Sequence, residues 1–292
     1  MNSRFSRLMC VGLLIALLAA SATTHWYRGA ERILESSTHY GATLAIGALI
    51  LGALAAFVSY YEYHGFGGQE GIVRRGPDAP VVAITFDDGP SPIYTPKILD
   101  VLKEKNVRAT FFCVGIHVEK YPDVARRIVD EGHDIGNHTY AHRDLLPSTR
   151  RIVEEQLRRT DEAIFSVTGV STRLFRPPRG LYSGAVRRIV VGEFGLRMIL
   201  WTVSTLDWRR DVTPRQIVKR IAHYLHPGAV ILFHDSGALF RREGGKRMTT
   251  VKALPMVIDH LREAGYEIVP VSEMLDRLAD TAVEPERVLE RA

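Results

Sequence analysis

Cysteine is nearly absent: there are two in 292 residues, Cys10 and Cys113. Cys10 lies inside an apolar run, so no disulfide framework is available and cysteine usage assigns no compartment. Cys113 sits in the apolar stretch Thr110-Phe-Phe-Cys-Val and reads as a small core residue rather than a nucleophile. Low-complexity blocks and internal repeats are missing as well, and the composition is not that of a disordered, collagen-like or disulfide-rich chain. No stripe of basic residues interleaved with aromatics occurs, so nothing points to nucleic acid as a partner. The net charge of +5 suits an anionic membrane surface or wall polymer. That charge is scattered in short pairs (Arg74-Arg75, Arg209-Arg210, Arg241-Arg242), as on an ordinary solvated surface.

What remains is a chain that is 46% apolar and 24% charged, enough for one domain of roughly 200 residues with a real core, plus an appendage. The appendage is residues 1–64, with two apolar runs. The first, 8–22, follows Arg4 and Arg7 and ends in Ala20-Ser21-Ala22, the layout of a secretory signal. The second, 41–60, contains no charge and is followed by Tyr61 and Tyr63. Its length matches the hydrocarbon thickness of a bilayer, and the tyrosines suit an interfacial belt. One or two transmembrane helices and a membrane-anchored protein are therefore expected. The side of the membrane stays open. Arg4 and Arg7 on one candidate inside segment are balanced by Arg28 and Arg32 on the other.

Residues 65–80, rich in glycine and proline, read as a linker. Residues 81–278 read as the catalytic domain and 279–292 as a tail. Within the domain, strands are expected over 81–86, 109–114, 198–203, 229–233 and 267–271. Helices are expected over 96–104, 124–130, 151–166, 185–193, 214–225 and 251–264. Such alternation predicts parallel strands with crossover helices, as an open sheet or a barrel. In either, chemistry belongs at the carboxyl ends of the strands.

Unusual residues cluster at those ends. Thr85-Phe86-Asp87-Asp88-Gly89-Pro90 closes a strand with two adjacent carboxylates, which repel and so need a cation or separate roles. His138 and His142 are four apart, the spacing that places two ligands on one face of a helical turn. With Asp88 they offer two imidazoles and a carboxylate, a set that suits Zn²⁺ with a position open for water. Phe175-Arg176-Pro177-Pro178-Arg179 is a stiff loop whose prolines present no N–H. The Arg179 N–H is therefore a fixed donor of the kind an oxyanion needs, and Arg176 is a partner for a carboxylate such as Asp87. His234 ends the apolar run 229–233 and is a candidate general acid, with Asp207 to orient it. Trp208 offers a flat face to a sugar ring. Alone, each feature is more often structural than functional.

Taken together and in order, Asp87-Asp88, His138…His142, Arg176-Pro177-Pro178, Asp207-Trp208 and Leu232-x-His234 resemble the five motifs of the polysaccharide deacetylases. That family is carbohydrate esterase family four, with the NodB homology domain. The resemblance implies a distorted (β/α) barrel, a divalent metal such as Zn²⁺, and a glycan substrate. It implies Asp87 as the general base, Asp88, His138 and His142 as metal ligands, and Arg176 as the residue tuning Asp87. It further implies the Arg179 N–H as an oxyanion donor and His234 as the acid, held by Asp207. Trp208 and Leu232 would line the sugar pocket. Many members have Tyr where this chain has Arg179, a change that leaves the backbone donor in place and alters the side chain facing the substrate. His117 and His133 match no ligand position and read as structural.

The leading expectation is N-deacetylation of a cell-envelope glycan, peptidoglycan N-acetylglucosamine first, with an extracytoplasmic domain on family grounds. A sugar on a polyprenyl phosphate is the alternative substrate. The alternative from another class is an inactive, membrane-tethered glycan-binding domain.

Overall fold

The computed structural model describes residues 37–64, 71–237 and 247–279. The first apolar run, 8–22, and the tail beyond residue 279 lie outside the described residues. The second run falls in helix α1, Ser37–His64. Side chains on α1 are described only over 44–57, which is shorter than a crossing. Among the described residues no helix is long and apolar enough to cross a membrane.

Among the described residues nine strands form the sheet: β1 (Ile72–Val73), β2 (Val81–Asp87), β3 (Thr110–Cys113), β4 (Asp134–Asn137), β5 (Leu174–Phe175), β6 (Arg197–Ile199), β7 (Val203–Ser204), β8 (Val230–His234) and β9 (Glu267–Ile268). Their order is β1-β6-β5-β4-β3-β2-β8-β7, with β9 also paired to β2, and all these pairings are parallel. The outermost strands, β1 and β7, have two residues each and do not pair with one another. The distorted barrel that the resemblance implies is thus an open, curled half-barrel.

Helices α2 (Tyr94–Glu104), α3 (Gly115–Lys120), α4 (Pro122–Asp130), α5 (Arg150–Thr168), α6 (Gly184–Arg187), α7 (Pro214–Tyr224) and α8 (Met248–Glu263) supply the crossovers. A one-turn π segment, Arg188–Glu193, continues α6.

The centre of the sheet was legible because β2 is buried along its whole length and so reads as an unbroken apolar run. Its Val82, Ile84 and Phe86 pack with Phe111, Phe233 and the inner faces of α2, α7 and α8 in the largest core cluster. Cys113 is buried in that cluster as expected, and burial pushes its thiol well above the ordinary range.

Several expectations are corrected. Residues 72–73, inside the stretch read as a linker, form β1 and pair with Met198 and Ile199. The strand expected over 198–203 is two strands, β6 and β7, with Leu200 to Thr202 between them. Strands β4 and β5 had no alternating or β-branched signature. Strand β4 is Asp-Ile-Gly-Asn, and its Gly136 is required because a Cβ there would press on the Phe112 ring and the Leu174 carbonyl. Close packing, not propensity, makes that segment a strand.

Candidate active site

The carboxyl ends of β2, β4, β5 and β8, and the loops that follow them, bring the motif residues together. Strands β2 and β8 are in register with Asp87 opposite His234, which fixes a carboxylate beside an imidazole across one strand pair. Asp87 is buried and receives a hydrogen bond from Arg176 Nη1 to Oδ1 at 2.7 Å. Arg176 is fully buried. Its Nη1 also donates to Thr85 Oγ1 at 2.8 Å, and its other nitrogens donate to the Ile199 and Leu200 carbonyls. The guanidinium lies 4.1 Å from the Phe112 ring centre. Each nitrogen of this buried cation thus has an acceptor, which favours an ion pair persisting out of water.

His138 and His142 meet Asp88, but not by the route expected. No helix carries them. The segment after β4 is an irregular loop in which Thr139 and His142 have positive φ, 65° and 49°. Two left-handed residues fold the loop back on itself and set the imidazole rings 5.1 Å apart. Asp88 Oδ1 lies 3.1 Å from His142 Nε2 and 3.5 Å from His138 Nε2. One donor atom from each of the three residues falls within 4.8 Å of the others. His138 Nδ1 sits 2.8 Å from the Arg176 carbonyl. A carbonyl only accepts, so Nδ1 carries a proton, and in the neutral imidazole this leaves the Nε2 lone pair free for a cation shared with Asp88. That tautomer, held by an outer acceptor, is what a metal-ligating histidine needs. Two imidazole nitrogens and one carboxylate oxygen fit a divalent cation such as Zn²⁺. Burial acts to raise the Asp88 carboxyl, yet the two histidines outweigh it and hold the group well below the ordinary carboxylate range.

On the opposite side, His234 Nδ1 is 2.8 Å from Asp207 Oδ1. Asp207 is buried and its Oδ2 also accepts from the His234 N–H at 2.8 Å and from Thr250 Oγ1 at 2.7 Å. Burial acts to strip the His234 proton. The Asp207 carboxylate, with Asp88 and Asp87 further off, outweighs it and raises the imidazolium to about 9.

The Arg179 backbone sits at φ 57° inside the turn Pro178–Gly180, just past the two prolines. Its side chain is exposed and lies 3.4 Å from Asp144 in an ion pair. Leu232 is buried on β8, whereas Trp208 is 56% exposed, leaving its ring face open to a ligand.

Sequence reading missed several contributors. Thr85 and Thr250 are single hydroxyls whose partners come from distant strands and helices. His117, read as structural, donates from Nδ1 to the Asp88 carbonyl at 2.7 Å and so touches the site. His133 is structural: its Nδ1 accepts from the Ala109 N–H, and burial lowers its pKa to about 4.

The comparisons with known proteins agree with this geometry. The polysaccharide deacetylase family matches residues 74–199. A chitooligosaccharide deacetylase of Sinorhizobium fredii is 38% identical over 201 residues, covering 68% of this chain and 93% of that protein. A peptidoglycan-N-acetylglucosamine deacetylase of Bacillus cereus is 37% identical, covering 66% of this chain and 67% of that protein. Among solved structures, a peptidoglycan N-acetylglucosamine deacetylase superposes with a TM-score of 0.66 at 36% identity, over 70% of this chain and 92% of that one. A pseudoenzyme of carbohydrate esterase family four from Bacillus anthracis superposes at 0.64 with 32% identity, over 70% of this chain and 69% of that one. The chain belongs to the polysaccharide deacetylase family and is a hydrolase of that class.

Proposed function

We propose that this protein removes acetyl groups from N-acetylglucosamine units of a cell-envelope glycan, with peptidoglycan the leading substrate. The observation that carries the reading is the juxtaposition of the Asp88–His138–His142 donor set with Asp87 on one side and the His234–Asp207 pair on the other. The names of the relatives support the same substrate class. Similarity to a pseudoenzyme makes the residue set, rather than family membership alone, the basis for expecting turnover.

Asp88, His138 and His142 would hold the metal. A divalent cation bound there supplies Lewis acidity, polarising the acetamide carbonyl and lowering the pKa of water to about 7. Asp87 is placed to take a proton from the attacking water, and its Oδ1 is already committed to Arg176, which orients the carboxylate. The Arg179 N–H would donate to the developing oxyanion. His234, protonated through its Asp207 contact, gives its proton to the departing amine as the C–N bond breaks. Trp208 stacks on the sugar, Leu232 walls the acetyl group, and the exposed Arg179 side chain faces the part of the glycan beyond it.

The acid role has a pH signature. His234 must be protonated to serve, so activity is expected to fall as pH rises through the His234 pKa. That limb lies no higher than about 9, because a cation bound beside Asp88 offsets part of the carboxylate charge. Asp207→Asn removes the largest favourable contact and leaves burial opposed only by the more distant Asp88 and Asp87, so the limb is expected to move to lower pH. A pH–kcat/KM profile unchanged in Asp207→Asn would remove His234 from the acid role.

We also read α1 as a membrane anchor and residues beyond it, to about Leu278, as the catalytic unit. Leu44, Ile46, Leu49, Ile50, Leu51 and Phe57 are exposed on α1, and an apolar helix without a polar face belongs in lipid or a protein core. With α1 ending at His64 and β1 beginning at Ile72, an anchor there would leave only a short connection between the bilayer and the catalytic unit. That tether favours the second substrate, an amino sugar on a polyprenyl phosphate, if the domain faces the cytoplasm. Fusion of a compartment-sensitive reporter to the C-terminus, with mass analysis of peptidoglycan fragments and lipid-linked sugars after incubation, separates the two. A loss of 42 Da per acetyl removed from neither substrate would overturn the deacetylase reading.

A further inference from the structure

Asp235 follows the candidate acid His234, and no role has been given to it. Asp235 stands one residue beyond the end of β8. It is buried and lies directly beneath the turn that carries Asp87 and Asp88. A Cβ at Gly89 would collide with both of its carboxylate oxygens, so glycine is what allows the turn to rest flush on that carboxyl.

Hydrogen bonds close a ring around the turn. The Asp235 N–H donates to the Asp87 carbonyl at 3.2 Å. Asp235 Oδ2 accepts from Thr95 Oγ1 at 2.5 Å, and Thr95 Oγ1 accepts from the Ser91 N–H at 2.7 Å. Between those anchors, the Asp88 carbonyl accepts from His117 and the Gly89 carbonyl accepts from the Val114 N–H at 2.8 Å. The device is needed because Asp88 itself has φ 77°. A non-glycine residue in the left-handed region persists where its surroundings over-determine it. Released from the ring, Asp88 has every reason to relax, and its carboxylate then leaves His138 and His142.

We infer that Asp235 and Thr95 are positioning residues that hold the Asp87–Gly89 turn in the conformation that aims the Asp88 carboxylate at the two histidines. The inference rests on the reading of Asp88, His138 and His142 as a metal site. Asp235 acts through the hydrogen bond it accepts, and Thr95 through the one it donates and the one it accepts, with neither touching substrate or metal.

The test uses full-length Thr95→Val, Thr95→Ser, Asp235→Ala and Asp235→Asn proteins. Zinc affinity is read by competition with a chromogenic chelator, and kcat and KM are read separately on a chitooligosaccharide. Thr95→Val and Asp235→Ala are expected to weaken zinc binding and lower kcat by about 10–100-fold, the range for lost outer-shell partners, with KM little changed. Thr95→Ser, which restores the hydroxyl, and Asp235→Asn, which keeps an acceptor oxygen, are expected to stay close to the parent. Zinc affinity and kcat like the parent's in Thr95→Val would overturn the inference, and so would failure of Thr95→Ser to restore them. If Asp235→Ala does not fold, as judged by circular dichroism, the Thr95 pair decides alone. A parent protein that binds zinc but deacetylates nothing would sink the proposed function while leaving the affinity arm of this test intact.

Discussion

Asp87→Asn is expected to lower kcat by about 10²–10⁴-fold, the range for loss of a general base, while bound metal is retained. The two adjacent carboxylates are separated by their contacts. Asp88 Oδ1 lies within 3.5 Å of both histidine Nε2 atoms. The nearest Asp87 oxygen to His138 Nε2 is 3.8 Å away, and the other is held by Arg176. An asparagine keeps the acceptor for Arg176 but has no basic oxygen with which to take a proton. Removing the anion also leaves the buried Arg176 cation less compensated, at a cost of up to about 3–5 kcal/mol, so a lower melting temperature is expected alongside. Metal content and single-turnover rate, measured on the same folded sample, check the assignment. Metal loss in Asp87→Asn would make Asp87 a ligand and remove it from the base role.

His138→Ala is expected to lose metal and activity together. His138 is buried, with its Nδ1 committed to the Arg176 carbonyl, which leaves its Nε2 as the atom that serves the donor set. Two remaining ligands, one of them the partly exposed His142, do not define a tetrahedral site. The readout that separates metal loss from misfolding is thermal. A ligand that binds only the folded state stabilises it by about 2.7 kcal/mol at 100 times Kd. The parent's melting temperature should therefore rise with added zinc and fall with chelator, whereas that of His138→Ala should move with neither. Full deacetylase activity in chelator-treated parent protein would end the metal hypothesis.

Much of the fold could be read from the chain because its centre is an apolar strand between amphipathic helices. The run Val81 to Phe86 is buried on both faces, and helices α5 and α8 show their buried stripes at helical spacing. Strands β1, β4 and β5 could not be read. Two- to four-residue strands carry no period, and Asp134-Ile135-Gly136-Asn137 has a composition that argues for a turn. Their identity comes from neighbours already in place, such as the Phe112 ring over Gly136.

The site divides along the same line. The residue types that carry the chemistry, from Asp87-Asp88 to His234, were visible in the sequence because their order and positions at strand ends are local features. What joins them was not. The i, i+4 spacing of His138 and His142 suggested a helical turn, yet left-handed residues at 139 and 142 bring the rings together in a loop. Thr95 meets Asp235 across 140 residues of chain and Thr250 meets Asp207 across 43, and no local pattern records a contact at that separation. The sequence by itself determined which groups are available for acid, base and ligand roles. The tertiary structure alone decided their pairings, tautomers and proton affinities, because these depend on burial and on charges that only folding brings within a few ångströms.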